Sequence, residues 1–383
     1  MTHSRSKLAS FILENSLLLL AGTVAAVVWA NLDLTSYRHF AHPLRFWVNE
    51  GGMVFFFALA AKEVFEAMLP GGVLASSYRA LSPLAAAVGG MLVPAAIFVT
   101  LCWILGPTHL TRGWAIPCAT DIAFSAMVAR VIFPIGHPAI PFLLLLAIAD
   151  DALGLIILAV FYPTRHLSFV VLVALMTGAI LLAVWLRRRR THSFWPYVMG
   201  PGSLSWFALY LGGFHPALAL VPIVPFMPHS PVDLGLFEPR EKLRLDTLNR
   251  FEHWWAPPVQ LVLLLFGFSN AGVPFEAIGP GTHYVIAGLF LGKPIGILLF
   301  SLAVRLVGGR LPTGLHRGDL LVLSIAASIG FTVSLFFATA AFPEGTALAE
   351  TKMGALLSFL AAPLAVAVSR GVRRGPIAST RNA

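Results

Sequence analysis

Two adjacent carboxylates, Asp150 and Asp151, lie in the middle of a long apolar run, Leu143–Phe161. A helix rises about 1.5 Å per residue, so a helix over this run would place both acids near the centre of a roughly 30 Å hydrocarbon core. A charged side chain there costs on the order of 2.5–3.5 kcal/mol, and such residues face a wet cavity or a charged partner. The pair is therefore a candidate site for binding ions or protons.

Two further ionisable residues lie deep in apolar segments. Asp121 follows Thr120 shortly after a proline that predicts a helix break, and the freed carbonyls, hydroxyl and carboxylate are oxygen ligands that suit a small cation. Lys293 needs a carboxylate partner in its own apolar run, and Asp150 or Asp151 can supply one. Neighbours on a helix point about 100° apart, so one acid can face Lys293 while the other faces a cavity, and their titration is then coupled.

The elements that carry these residues must be membrane helices. Of the 383 residues, 58% are hydrophobic and 11% are charged, whereas soluble proteins average about 25% charged residues. At about 20 residues per span, the length predicts an all-α polytopic membrane protein with about twelve transmembrane helices. We expect these spans at about 11–30, 50–69, 83–105, 110–133, 141–162, 167–186, 194–213, 214–228, 254–272, 282–306, 318–342 and 349–370.

The basic residues lie between the apolar runs and form no continuous face. The net charge of +9 therefore indicates membrane orientation and no nucleic-acid partner, and the distribution of Lys and Arg predicts cytoplasmic N- and C-termini. On this orientation the outer connections receive only Arg38, Arg45, Arg112, Arg165 and Lys352.

Two of the spans carry signals for interruption, the fourth at 110–133 and the eleventh at 318–342. In the eleventh, Gly330 lies among hydroxyl residues in Ser328–Ser334. Paired interrupted spans in the two halves of a chain indicate a transporter built on inverted repeats. We expect a single transporter domain over 1–383, with a core subdomain at about 83–162 and 282–370 and an interface subdomain at about 11–69 and 167–272.

Five segments, in this order, resemble the NhaA family of bacterial sodium/proton antiporters: Arg112–Phe124, Leu146–Asp151, Gly267–Gly272, Gly292–Gly296 and Ile329–Ser334. The resemblance implies extrusion of Na⁺ (or Li⁺) in exchange for H⁺ by alternating access, with the two interrupted helices crossing at the midplane. It further implies a multi-pass protein of the bacterial inner membrane, a homodimer by analogy, no cofactor and no enzymatic reaction. The bilayer and the transported ions are then its partners.

The same motif positions imply individual roles. Asp151 would be the main carboxylate for Na⁺ and protons, and Thr120 and Asp121 would line the Na⁺ site. Asp150 would alternate between pairing with Lys293 and carrying a proton. An electrogenic cycle follows if more protons enter than sodium ions leave, and Lys293 is consistent with a second proton-linked group.

Four residues match the place of a pH-sensing funnel in the family: Glu63, Glu66, Glu252 and His253. The match is incomplete, since positions 64 and 65 are hydrophobic where basic side chains are expected and position 256 is alanine where histidine is usual. We therefore expect weaker pH regulation than in the better-known members. The alternative interpretation is that these are ordinary acids near cytoplasmic helix ends. The outer loop 31–49 is too short for the β-hairpin through which family members dimerise.

Two other functions fit part of the pattern. A proton- or sodium-coupled symporter of a small organic anion would need basic residues or free half-helix N-termini aimed at its substrate, and Lys293 is the only deep cation clearly available in the sequence. An intramembrane aspartyl protease needs two acids that share a proton. Asp121 with Asp151 could imitate such a pair, but a Gly-x-Gly-Asp context is missing and Lys293 would have no role.

Overall fold

A computed structural model describes residues 17–70, 77–134, 136–163, 168–229, 246–307 and 311–373. Every regular element in these ranges is helical. The longer helices are Leu17–Leu32, Leu34–Phe46, Met53–Met68, Ser77–Leu105, Ile122–Ile132, Ala139–Phe161, Phe169–Arg188, Ser203–Gly212, Thr247–Asn270, Pro280–Ala287, Lys293–Ala303, Arg317–Ala326, Phe331–Ala341, Thr346–Leu357 and Ala361–Arg373.

Five candidate membrane spans and two bent helix pairs occur in the described part of the chain. The five spans are Leu81–Leu105, Ala139–Phe161, Phe169–Arg188, Pro280–Ala303 and Thr346–Val372. The first pair, Thr108–Cys118 with Ile122–Ile132, bends by 52°, and the second, Arg317–Ala326 with Phe331–Ala341, bends by 50°. The all-α architecture and both predicted interruptions are therefore confirmed, while the count of twelve spans stays a prediction.

The predicted span at 214–228 is wrong as a continuous helix. It contains two three-residue 3₁₀ turns, Pro216–Leu218 and Val224–Phe226. Four prolines fall within these fifteen positions, at 216, 222, 225 and 228. Each proline lacks the backbone donor that an α-helix needs and clashes with the preceding turn, so apolar composition alone does not make this segment a helix.

Packing divides the chain into two compact units. The first unit comprises 1–80, 151–278 and 335–353, and the second comprises 81–150, 279–334 and 354–383. In the first unit, Leu17–Leu32 packs along Thr247–Asn270. The predicted absence of a β-hairpin at 31–49 agrees with the structure, in which Leu34–Phe46 is a helix that begins at the N-cap Asp33.

In the second unit, two glycines bring a pair of helices into backbone contact. A Cβ atom on Gly296 would collide with the backbone carbonyl of Gly89, and the reverse also holds. The helix Lys293–Ala303 therefore lies directly against the helix Ser77–Leu105, and this fixes the position of Lys293 at its first turn.

Candidate ion-binding site

The two helix breaks of the second unit touch each other. The Asp121 amide donates a hydrogen bond to the Ile329 carbonyl at 2.7 Å, and Ser334 Oγ donates to the Ile116 carbonyl at 2.6 Å. A Cβ atom on Gly330 would lie 2.6 Å from the Ala119 carbonyl oxygen, so this contact requires glycine. Each break thus satisfies backbone carbonyls that the other leaves without helical partners.

The Asp121 carboxylate begins one half-helix and contacts the other. Its Oδ1 accepts a hydrogen bond from the Phe124 amide at 3.4 Å, which makes Asp121 the N-cap of Ile122–Ile132. Its Oδ2 accepts hydrogen bonds from the Thr332 amide at 3.2 Å and from the Thr332 hydroxyl. These donors and the N-terminal end of the half-helix stabilise negative charge at a position that is only 6% exposed.

Asp150 and Lys293 form a fully buried ion pair. Lys293 Nζ lies 3.3 Å from Asp150 Oδ2, and both side chains are 0% exposed. The same ammonium donates to the Cys118 carbonyl at 2.5 Å. Thr120 Oγ1 lies 2.6 Å from Asp150 Oδ2 and 3.1 Å from the Ala327 carbonyl, so its single proton can go to either acceptor.

One oxygen of this cluster lacks a hydrogen bond. Asp150 Oδ1 is buried and accepts none within the described residues. A buried carboxylate oxygen in that position needs a proton or a cation to offset the cost of its burial. The second carboxylate, the Thr120 hydroxyl and the carbonyls at the breaks are hard oxygen ligands. The arrangement therefore has the chemistry to hold either a small monovalent cation or a proton.

Asp151 follows Asp150 on the helix Ala139–Phe161 but belongs to the first unit. Its side chain is half-buried, whereas Asp150 is 2% exposed. The structure thus brings Thr120, Asp121 and Lys293 together around Asp150, and it leaves Asp151 as the more accessible of the two adjacent acids.

Several groups of the site are not evident in the sequence. The carbonyls of Cys118, Ala327 and Ile329 participate through their backbone, which no side-chain motif reveals. Thr332 could have been identified as a hydroxyl beside the glycine of the second break. Its contact with Asp121 could not be predicted from the sequence, because the two residues are 211 positions apart.

A second charged cluster lies within the first unit. Lys62 Nζ lies 2.5 Å from Glu66 Oε2 and 2.6 Å from Glu252 Oε2, and the Lys62 side chain is 6% exposed. Glu63, the neighbour of Lys62 on the helix Met53–Met68, is half-buried, and His253 is exposed. The missing basic residues at 64 and 65 are thus offset by Lys62, a cation that the sequence interpretation did not assign to this cluster.

Comparisons with known proteins show the family to which the chain belongs. The family model described as "Na+/H+ antiporter 1" matches residues 9–369. Three relatives named Na(+)/H(+) antiporter NhaA come from Desulfitobacterium hafniense (strain DSM 10664 / DCB-2), Jannaschia sp. (strain CCS1) and Geotalea uraniireducens (strain Rf4). The first is 45% identical over 96% of this chain and 96% of its own. The other two are 42% and 43% identical, over 94% and 96% of this chain and 97% and 98% of their own.

A solved structure shares the fold at low sequence identity. It is the sodium proton antiporter MjNhaP1 from Methanocaldococcus jannaschii at pH 8, with a TM-score of 0.54 and 16% identity. The match covers 94% of this chain and 91% of the other chain. At this identity the likeness concerns the architecture alone.

Proposed function

Because the chain belongs to the Na⁺/H⁺ antiporter 1 family, matched over residues 9–369, we propose that it is a secondary active transporter that exchanges Na⁺ for protons. It would extrude Na⁺, and also Li⁺, from the cytoplasm and admit H⁺. The observation that carries this proposal is the buried cluster of Thr120, Asp121, Asp150 and Lys293 where two broken helices meet.

Exchange follows from competition for the same carboxylates. A carboxylate that binds a proton loses the charge that attracts Na⁺, and a bound Na⁺ repels the proton. Facing an alkaline cytoplasm the site ionises and takes up Na⁺. Facing a more acidic exterior it takes up protons and releases Na⁺. Alternating access then carries one ligand outward and the other inward without any covalent step.

We assign the individual roles as follows. Asp151 is the principal carboxylate for Na⁺ and protons, because it is the more accessible of the adjacent acids and the family resemblance gives it that role. Thr120 and Asp121 supply further oxygen ligands. Asp150 alternates between the ion pair with Lys293 and a proton, and its unpaired Oδ1 is the atom that would take that proton.

The cycle we propose is electrogenic. One pH unit is worth about 1.4 kcal/mol per proton, whereas one net charge moving through 100 mV is worth about 2.3 kcal/mol. Admitting more protons than Na⁺ ions extruded therefore lets the membrane potential drive extrusion when the pH gradient is small or opposed. Lys293 supplies the second proton-linked group.

The cellular setting belongs to the same proposal. We infer the bacterial inner membrane, cytoplasmic termini and a homodimer. The transporter would serve sodium and pH homeostasis. We further propose that Glu63, Glu66, Glu252 and His253 respond to cytoplasmic pH. The bridge from Lys62 to two of these acids supports this role, since protonation of either acid removes one ion pair.

The test uses the full-length protein in proteoliposomes with an entrapped pH dye. In the wild type, a pulse of external Na⁺ should drive Na⁺ into the vesicle lumen and protons out of it. Asp151→Asn and Asp121→Asn should abolish this proton movement. The matched control is Asp33→Asn, because Asp33 is an exposed N-cap and asparagine caps equally well. Exchange that persists in both variants, or that is absent in the wild type, would refute the proposal.

The electrogenic part is tested separately with the same vesicles. Valinomycin and a K⁺ gradient set a membrane potential, and the initial rate should change with the sign of that potential. A rate that ignores the potential would rule out unequal charge exchange while leaving the exchange itself intact.

A further inference from the structure

A cavity of about 230 Å³ lies within the first unit, and four of its eleven lining residues are basic. The helix Leu34–Phe46 contributes Arg38, His42 and Arg45, and the helix Thr346–Leu357 contributes Lys352. Residues 272–274, 344, 345, 348 and 349 complete the wall. None of these residues takes part in the exchange proposed above.

Lys352 is the unusual member of this cavity. The sequence analysis counts Lys352 with the outer connections, and in the structure it lies inside a helix and is 1% exposed. Within the described residues, no carboxylate neutralises its ammonium, and the charged group that acts on it is Arg45, another cation. A buried ammonium without a partner of opposite sign is costly. An anion bound in the cavity would therefore stabilise the charged form of Lys352.

The other walls do not supply that charge. Arg45 Nε donates to the Ser269 carbonyl at 3.0 Å. Burial raises the pKa of Tyr37, which lies beside Arg45, so the phenol stays neutral there. The one acid in the wall, Glu344, is exposed and faces His42 at 4.0 Å. Two permanent cations, Arg38 and Arg45, and the buried Lys352 amine therefore share a cavity with one solvated carboxylate at its rim.

We propose that this cavity binds an oxyanion of the sulfate or phosphate class, either free in solution or as the headgroup of an anionic phospholipid. Guanidinium groups bind tetrahedral oxyanions through paired N–H donors, and the Lys352 ammonium adds a point charge from the floor of the cavity. On the proposed orientation the cavity faces the outer side, where basic residues are otherwise few. Arg38 and Arg45 are then retained there for binding rather than for orientation.

The experiment measures the thermal stability of the full-length protein in a neutral detergent. Tetramethylammonium sulfate is titrated against tetramethylammonium gluconate at equal ionic strength. A second arm titrates short-chain phosphatidylglycerol against a short-chain uncharged lipid. We expect a saturable rise in Tm of about 3 °C at a tenfold excess over Kd. A rise with sulfate identifies a free anion, and a rise with the lipid alone identifies a headgroup.

Variants separate binding from the general stabilising effect of sulfate, which does not saturate. Lys352→Met keeps the length of the side chain and should lose the saturable rise. Arg45→Gln should lower the apparent affinity for the anion at least tenfold. This variant replaces Lys352→Met as the test if Lys352→Met does not fold. Arg188→Gln, an exposed arginine of the same unit, should keep the full effect.

Two results would overturn the proposal: no saturable rise in either arm of the wild type, or an equal rise in Lys352→Met and Arg45→Gln. The assay contains neither Na⁺ nor a pH gradient, so its failure would leave the proposed exchange untouched.

Discussion

The ion pair between Lys293 and Asp150 should be strongly coupled in energy. Its charged atoms lie 3.3 Å apart and both side chains are 0% exposed. At an effective dielectric constant of about 20, two unit charges at that distance attract by about 5 kcal/mol. Removing one member of a buried pair costs about 3–5 kcal/mol, because the remaining charge is left in a medium that solvates it poorly.

The double-mutant cycle consists of Lys293→Met, Asp150→Asn and the two together. Each single variant strands one charge. After Lys293→Met the Asp150 carboxylate keeps the Thr120 hydroxyl, and after Asp150→Asn the ammonium keeps the Cys118 carbonyl. In the double variant neither charge is present. The double variant should therefore lose less stability than the sum of the two singles, by about 3 kcal/mol.

The assay is thermal or chemical unfolding of the full-length protein in detergent at pH 8.5 without Na⁺. At about 2 °C per kcal/mol, each single variant should lower Tm by about 6–10 °C. Asp33→Asn again serves as the unaffected control. Additivity of the two single effects within about 0.5 kcal/mol would refute the reasoning, since it would mean that the two charges do not sense each other.

Two further perturbations follow from the same contacts. Lys62→Met leaves Glu66 and Glu252 facing each other without the ammonium they share. Tm should fall more at pH 8.5 than at pH 4.5, because the acids repel each other only when ionised, and equal losses at the two pH values would contradict this account. Gly330→Val forces a side chain against a backbone carbonyl of the first break. It should cost about 1–3 kcal/mol of stability and abolish exchange. Gly371→Ala, in open space on a helix, should leave exchange unchanged and should not lower stability.

Much of the architecture could be predicted because a bilayer imposes strict local rules. Apolar runs of about 20 residues can only be helices there, and the structure has helices at most of the predicted positions. Both interruptions were visible as Pro117, which lacks a backbone donor, and Gly330, whose backbone is permissive. The failure at 214–228 shows the limit of hydropathy, since that segment is apolar and its prolines still exclude a continuous helix.

The sequence indicates which ionisable residues belong to the candidate site, but it does not indicate which of them form the ion pair. Charge in an apolar run is conspicuous, so Asp121, Asp150 and Lys293 could be identified from sequence alone. Which acid meets the lysine could not be identified, because Asp150 and Asp151 are chemically identical and differ only in direction on one helix. The structure decides it through the position that Gly296 gives to the helix Lys293–Ala303.

The sequence by itself determined that this chain is a helical membrane protein, that two of its spans are broken, and that a few acids and one lysine are buried where charge is costly. These are properties of single segments, and each follows from local composition. Only the tertiary structure decided that Thr332 donates hydrogen bonds to Asp121 and that Lys62 bridges two glutamates. It also decided that Lys352 lines a cavity instead of lying in a connection between helices. Such contacts join residues that are far apart in the chain, and their geometry depends on how whole helices pack.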